Sequence, residues 1–255
     1  MKDASFDLTQ YVMHHVLDAN EWHLPFLPTI HLPEYLTLHG VMLLVASVIL
    51  IIAFCGLYDK KSRVPSGFTN FLESLVVFIR NEVSVMCLGE KDGKKMAPLF
   101  CTFFFFILTL NLMGLIPLFV TATANINVTG ALAVITLCLM LFGTIYKNGI
   151  KGFISAVKPA GVPAPVLIIL VPIEILGIFI KAFALMIRLF ANMLAGHIVI
   201  FSLLGLVVLV GYAALPAVGL ALFINVMEIF IAFLQAYIFT LLSAMFIGLM
   251  YHPNH

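Results

Sequence analysis

Charged residues are scarce in this sequence, and their scarcity excludes a large class of proteins. Asp, Glu, Lys and Arg make up only 10% of its 255 residues, whereas 63% are hydrophobic. The mean hydropathy is +1.15. Because a soluble globular domain carries about 25% charged residues, the composition excludes a soluble protein of this length.

Paired metal-binding or disulfide-forming residues are also missing. The histidines at positions 14, 15, 23 and 31 have no recurring ligand spacing. No CxxC pair occurs among the four cysteines, which are scattered: Cys55, Cys87, Cys101 and Cys138. We therefore expect neither a disulfide framework nor a bound metal.

Several motifs are absent as well. The chain does not open on a short apolar stretch with a small-residue cleavage site, so we expect no secretory signal peptide. Strand alternation is missing, which argues against a β-barrel. HExxH, GxSxG and a phosphate-binding loop are all lacking. We expect no catalytic ATP site in this chain, no direct nucleotide binding, no nucleic-acid partner and no cofactor.

What the sequence does contain is long apolar runs. Several reach the roughly 20 residues needed to cross a bilayer, which predicts an all-α membrane protein with about five membrane-crossing helices. Residues 1–37 are predicted to be an outer-side segment, and 38–250 a single membrane domain. Residues 64–86 combine helical apolar spacing with interrupting charges, which predicts an interfacial amphipathic helix. The predicted spans are 38–58, 96–120, 128–146, 165–210 and 216–249.

The last two apolar segments are too long for simple spans. The first has about 45 residues and would be about 68 Å long as a helix, against an apolar bilayer core of about 30 Å. Such a helix must be broken or strongly tilted, and both alternatives fit the sequence. The best turn signal between the two segments is GYAALP, residues 211–216. The last two helices are therefore expected to form a long, strongly tilted hairpin.

Lysine and arginine are unevenly distributed over the predicted loops. The N-terminal segment holds only Lys2, and the turn TATANIN holds none. The stretch after the first span holds seven, including those of a charged turn at 89–95, and three more lie in a basic loop at 147–159. Because basic loops face the cytoplasm, we expect the N-terminus outside and the C-terminus cytoplasmic.

A stripe of small and charged residues runs along the fourth segment. Arg188 lies at its middle and stays protonated in proteins, at a cost of at least about 2.5–3.5 kcal/mol in the centre of a membrane helix. One alternative is a tight helix–helix seam with its charges paired inside the bundle. We favour a face that meets a closely packed partner and water, because three charges exceed what packing needs. The stripe consists of Glu174, Gly177, Lys181, Ala184, Arg188, Ala191 and Ala195.

The predicted hairpin brings polar residues of both segments to matching depths. If it turns near Gly211–Tyr212, residues whose numbers sum to about 424 lie level. Arg188 is then level with Gln235, and His197 is level with Glu228. Asn192 lies between these two levels. A Glu–His pair can accept and release protons near neutral pH, so the register predicts a polar path.

Arg188 itself is unsuited to relaying protons, because it never releases one. It can instead act as a barrier and as a counter-charge, since a fixed cation beside a carboxylate favours loss of the carboxylate's proton. Glu174 and Glu228 both lie about two helical turns away or more. We therefore expect the carboxylate on which Arg188 acts to come from another subunit.

These residues resemble a known family. RLFANMLAGH (188–197) and EIFIAFLQAYIFTLL (228–242) are similar to the signature of subunit a of the F-type ATP synthase, the stator part of its proton channel. VPSGFTNFLESLVVFIRNEV, FFFILTLNLMGLIP and TANINVTGALAV are similar too and follow the family's order. The resemblance covers about residues 40–250.

The resemblance implies partners and roles. The partners would be a rotor ring of small hairpin subunits with one membrane carboxylate each, peripheral-stalk subunits and the lipid bilayer of a bacterial inner membrane. Arg188 matches the arginine that separates two offset aqueous half-channels and discharges each rotor carboxylate. Outer-side pathway positions match Asn192, His197, Glu228 and Gln235, and the inner half-channel is expected at Glu174 and Lys181. The small residues that would face the rotor are Gly177, Ala184, Ala191 and Ala195.

The sequence departs from some relatives at two places. In certain bacterial members the acid stands at the position of His197 and the histidine at the position of Glu228. Here the two residue types are exchanged, as they are in mitochondrial-type sequences. Because the two positions lie level in the predicted hairpin, the pair is preserved. Gly114 stands where some relatives carry an acid. The residues that can replace this acid in the outer channel, or that only cap helices, are Asn111, Asn125 and Asn127.

Two other functions compete with this interpretation. A self-contained secondary transporter would bind an anionic substrate at Arg188, but it would normally show an internal repeat with paired broken helices, which is not found. An intramembrane hydrolase would carry a motif such as HExxH or GxSxG, and the sequence contains neither.

The Glu–His pair favours protons as the coupling ion.

Overall fold

The computed structural model describes residues 21–22, 30–31, 37–56, 67–116, 119–158, 163–210 and 215–252. Predictions for the rest of residues 1–37, for the link after the first span and for the turn at 211–214 lie outside these residues. Within the N-terminal segment, the strands β1 (Glu21–Trp22) and β2 (Ile30–His31) pair antiparallel, with Glu21 opposite His31.

The rest of the described chain is almost entirely helical. Helices α1 (Leu38–Ile51), α2 (Gly67–Phe78) and α4 (Ile126–Cys138) continue into π-helical turns at Ile52–Gly56, Ile79–Val85 and Leu139–Gly143. A 3₁₀ turn, Ala122–Ala124, precedes α4. The remaining helices are α3 (Met86–Gly114), α5 (Thr144–Val157), α6 (Ala164–Val210) and α7 (Leu215–Tyr251).

Five of the described helical stretches are long and apolar enough to cross a membrane. This confirms the prediction of an all-α, multi-pass integral membrane protein. The stretches are Leu38–Gly56, Gly67–Gly114, Ile126–Val157, Pro165–Ile200 and Pro216–Tyr251. The interfacial position of residues 64–86 and the assignment of 38–250 to a single domain stay predictions.

Two segments that the sequence predicts as loops are helical. The chain breaks at Gly89, where φ is 77°, and then continues as helix through the charged residues 90–95. A second break occurs at Gly149, where φ is 70°, and α5 then runs on to Val157. Residues rarely adopt such φ values unless they are glycine. The lysines and glycines suggested loops, but Ile150, Ile154 and Val157 keep helical spacing.

Helix α6 is continuous over 47 residues, even at Pro172. Its length is about 70 Å, more than twice the apolar thickness of a bilayer. The sequence fits either a broken helix or a strongly tilted one. Between Ala164 and Val210 the helix has no break.

The chain divides into two compact units, each with its own packing. Unit one comprises Met1–Ile51, Phe106–Val128 and Leu189–Gln235. One apolar cluster in it packs α1 against the end of α3, the turn that follows and the start of α4, through Leu38, Met42, Ala46, Leu110, Met113, Ala122 and Val128.

Unit two comprises Ile52–Phe105, Thr129–Arg188 and Ala236–His255. Aromatic rings pack edge to face within it. The Phe103 and Phe239 rings have centroids 5.8 Å apart at 90°. Both side chains are buried.

A polar group in unit two, the Asp92 cluster (Asp92, Lys147, Tyr251 and His252), joins three helices. Lys147 Nζ lies 2.5 Å from Asp92 Oδ2 and 4.7 Å from the centre of the Tyr251 ring. His252 Nε2 lies 3.4 Å from Asp92 Oδ2 and 3.1 Å from the Leu88 carbonyl oxygen. The cluster therefore fixes the end of α7 to the start of α3 and to α5.

The Asp92–Lys147 pair should contribute measurably to stability. Both side chains are about three-quarters buried, with 22% of Asp92 and 25% of Lys147 exposed, so Asp92→Asn leaves a largely buried ammonium without its counter-charge. We expect a loss of about 1–3 kcal/mol, seen as a fall of several degrees in the thermal unfolding midpoint of the purified protein in detergent.

The matched control is Glu90→Gln, which removes the partner of Lys94 in an ion pair of 3.2 Å with 82% and 60% of the side chains exposed. Exposed pairs contribute about 0–1 kcal/mol, so this midpoint should stay nearly unchanged. Equal effects of the two substitutions would show that the Asp92 cluster has no special structural role.

Candidate functional site

The apolar part of the chain, residues 165–249, holds four charged side chains. Two of them form a pair along α6 in unit two. Lys181 Nζ lies 3.6 Å from Glu174 Oε1, and both side chains are about one-third exposed. The ammonium also lies 5.9 Å from the centre of the Phe246 ring of α7. An ion pair and a ring face thus compensate Lys181 on both sides.

In unit one, His197 of α6 and Glu228 of α7 lie side by side. His197 Nδ1 is 3.8 Å from Glu228 Oε1, and only 12% and 6% of the two side chains are exposed. Neither oxygen of Glu228 forms a hydrogen bond with the described residues. A carboxyl group beside an imidazole, both removed from bulk solvent, is suited to exchange of a proton between them.

Gly196 makes room for this pair. A Cβ atom added at residue 196 would overlap the Glu228 carboxylate, with Cδ at 2.9 Å. The carboxylate therefore lies directly against the backbone of α6, as small residues in membrane helices allow. A larger residue at this position would push Glu228 away from His197.

The other nitrogen of His197 contacts the end of α3 and the turn after it. Nε2 lies 3.1 Å from the Gly114 carbonyl oxygen and forms a hydrogen bond with the Thr121 hydroxyl. Thr121 was not predicted as a site residue. Its only sequence signal is its place in the polar turn between the second and third predicted spans.

The three asparagines proposed for the outer channel have different environments. Asn111 is fully buried, accepts a hydrogen bond of 2.8 Å from Thr123 and donates one of 3.5 Å to the Ala232 carbonyl. Asn125 accepts the backbone N–H of Asn127 at 2.9 Å, as an N-cap of α4 does. The side chain of Asn127 is exposed.

Arg188 differs from the other charged residues of this region. Its side chain is exposed, and it forms no ion pair and no hydrogen bond with the described residues. Four helical positions around it follow the predicted stripe: Gly177 is half-buried, whereas Ala184, Ala191 and Ala195 are exposed. The guanidinium thus lies on an open face of small residues.

Asn192 and Gln235, the remaining predicted pathway residues, are less exposed than Arg188. Asn192, one turn beyond Arg188, is half-buried. Gln235 of α7 is 5% exposed, and its Nε2 has no hydrogen-bond partner among the described residues. The expected proximity of Gln235 and Arg188 stays a prediction.

Comparison with known proteins gives a consistent result. The model of a family described as "ATP synthase A chain" matches residues 40–248. "ATP synthase subunit a" of Anaeromyxobacter dehalogenans (strain 2CP-C) is 49% identical over 217 residues, 83% of this chain and 57% of the relative. The proteins of that name from Chloroherpeton thalassium and Myxococcus xanthus are 45% and 39% identical, over 95% and 94% of this chain and 77% and 87% of their own lengths. The chain therefore spans little more than half of the Anaeromyxobacter relatives.

The buried Asn111–Thr123 hydrogen bond offers a test of how this part of unit one is held. Asn111→Ala and Thr123→Val each remove the bond, so each should lower stability, while the double variant should lose less than the sum. We expect a coupling energy of about 1 kcal/mol, measured from thermal or denaturant unfolding in detergent. Strict additivity of the two single changes would argue that the two side chains do not interact.

Proposed function

The chain belongs to the ATP synthase A chain family, and from this membership we propose that it is the stator subunit of a proton-translocating ATP synthase. In this proposal it holds no nucleotide. It conducts protons to and from a rotor ring, and partner subunits carry out the ATP chemistry. The membrane would be a bacterial inner membrane, with the N-terminus outside and the C-terminus cytoplasmic.

The observation that carries the proposal is the isolation of Arg188. A guanidinium inside a membrane needs an opposite charge or water, and no described residue supplies the charge. The small, exposed side chains of Ala184, Ala191 and Ala195 on the same helix face allow another helix to approach closely. The missing counter-charge is a carboxylate on a small hairpin subunit of the rotor ring.

Arg188 drives the proton off each rotor carboxylic acid that reaches it. The guanidinium stabilises the carboxylate but not the neutral acid, so the O–H bond breaks and the proton leaves through one half-channel. Because Arg188 itself never releases a proton, no proton passes directly from one half-channel to the other. Protons then move from one half-channel to the other only on the rotor carboxylates, as the ring rotates.

The outer half-channel is centred on the Glu228–His197 pair. A proton entering from outside binds Glu228 or the neighbouring imidazole nitrogen and passes on to a rotor carboxylate. Asn192, Gln235 and Asn111 supply further polar groups for this route, with Asn125 and Asn127 at its margin. The buried pair 3.8 Å apart supports this assignment.

The inner half-channel is assigned to Glu174 and Lys181. Both side chains are about one-third exposed, so water can reach the Glu174 carboxylate. Gly177, between them on the same face, leaves space for this water beside the rotor. Peripheral-stalk subunits and the lipid bilayer are the remaining partners in the proposal.

Changing Arg188 should separate assembly from function. Arg188→Gln removes the fixed charge, and Arg188→Lys replaces the planar fork with a shorter group that can deprotonate when desolvated. Both complexes should assemble at the normal level and lose ATP-driven proton pumping by about 100-fold or more. The assay is acidification of inverted membrane vesicles, normalised to the amount of assembled complex.

The control is Arg80→Gln, since Arg80 is an exposed arginine whose Nε donates to the neighbouring Asn81. This variant should assemble and pump normally. If pumping by the Arg188 variants simply followed the amount of assembled complex, the residue would serve packing and the proposal would be wrong.

Exchanging the acid and the histidine tests the outer pair. His197→Glu and Glu228→His should each impair pumping, because one buried group loses its partner. The double exchange restores the pair and should pump about tenfold better than either single variant. Pumping by the double variant that equals the product of the two single effects would be evidence against contact.

A further inference from the structure

His197 is held by two groups that lie outside the predicted proton path. Its Nε2 atom lies 3.1 Å from the Gly114 carbonyl oxygen and bonds to the Thr121 hydroxyl. Thr121 is 5% exposed and donates to the same carbonyl at 3.4 Å. One ring nitrogen is therefore enclosed by two oxygen atoms, and the other lies 3.8 Å from Glu228.

This arrangement gives the two ring nitrogens different tasks. A carbonyl oxygen only accepts hydrogen bonds, so the Gly114 contact favours a hydrogen atom on Nε2 of His197. A backbone hydrogen bond to Met193 of the same helix also holds the ring. The groups bound to Nε2 thus fix the orientation in which Nδ1 lies 3.8 Å from Glu228.

Gly114 explains how Thr121 comes so close to the ring. A Cβ atom added at residue 114 would lie 2.6 Å from Thr121 Oγ1 and 2.8 Å from Thr121 Cγ2. The threonine side chain therefore occupies the space that any side chain at 114 would need. Glycine at 114 and threonine at 121 are a matched pair, and a change at either position should release the ring.

We propose that Thr121 is a positioning residue for proton transfer: with the Gly114 carbonyl, its hydroxyl fixes the His197 ring so that Nδ1 faces Glu228. The inference rests on the proton-conducting function proposed above. Thr121 carries no proton itself and acts through His197. In unit one, Glu228 is the charged group that faces the ring from α7, whereas the end of α3 and the following turn contribute a carbonyl and a hydroxyl that do not titrate.

Two substitutions at Thr121 separate its hydroxyl from its shape. Thr121→Val keeps the shape and removes the hydroxyl, whereas Thr121→Ser keeps the hydroxyl. With the whole synthase complex in vesicles, Thr121→Val should lower ATP-driven pumping about tenfold per assembled complex. It should also shift the pH optimum of pumping by about half a unit or more. Thr121→Ser should stay within about twofold of the wild type and keep its pH optimum.

Two further variants complete the experiment. Gly114→Ala should reproduce the Thr121→Val phenotype, because it displaces the threonine side chain from His197. Thr144→Val is the matched control: this buried hydroxyl donates only to the Met140 carbonyl of its own turn, at 2.6 Å. The control should change neither the pumping rate nor the pH optimum.

The outcomes distinguish this inference from the function on which it rests. A wild-type complex that pumps, with Thr121→Val at the wild-type rate and pH optimum, overturns the role of Thr121 alone. Equal losses in Thr121→Ser and Thr121→Val overturn it too, because the hydroxyl would then not matter. A wild-type complex that does not pump at all overturns the proposed function.

Discussion

A charge inside a bilayer has to be matched by an opposite charge, a dipole or water, and this constraint arranges the polar residues of α6 and α7. Lys181 is matched by Glu174 and by an aromatic ring, and Glu228 lies against an imidazole. Arg188 is the exception among the four charged side chains of residues 165–249, since the described residues offer it no partner. The unmatched cation is the basis for proposing a partner carboxylate.

Small residues make these arrangements possible. Gly196 lets the Glu228 carboxylate reach the backbone of α6, and Gly114 lets Thr121 reach His197. Around Arg188, alanines keep one face of α6 open. In each case a missing side chain gives a polar group or a partner helix the space to approach, which is a general way of building close contacts in membrane helices. Larger residues at these positions would impair function because they would displace the polar group or the partner helix, although no charge would be lost.

The sequence predicts the helical class and the number of crossing helices because apolar runs of bilayer length have few other uses. It also predicts that His197 and Glu228 lie at one level, since the register of an antiparallel hairpin follows from residue numbers once the turn is known. In the structure these two side chains lie 3.8 Å apart. The Asn125 side chain accepts the backbone N–H of Asn127, as a helix cap does, and a place for it in the outer channel stays a prediction.

Other features could not be read from the sequence. Gly89 and Gly149 interrupt helices that continue beyond them, and local composition does not distinguish such a break from a loop. Thr121 and the Asp92 cluster depend on contacts between residues far apart in the chain, such as Asp92 with Lys147. α6 is also continuous at Pro172, where the local preference of proline favours a kink or a break.

In the proposed function, the fixed charge of Arg188 couples proton flow to rotation and blocks direct passage between the half-channels. Removing it with Arg188→Ala tests both parts in one preparation. ATP-driven acidification and passive proton leak are measured in vesicles that contain equal amounts of assembled wild-type or variant complex. We expect no pumping by Arg188→Ala, with a leak equal to or above that of the wild type. Near-normal pumping by this variant would contradict it.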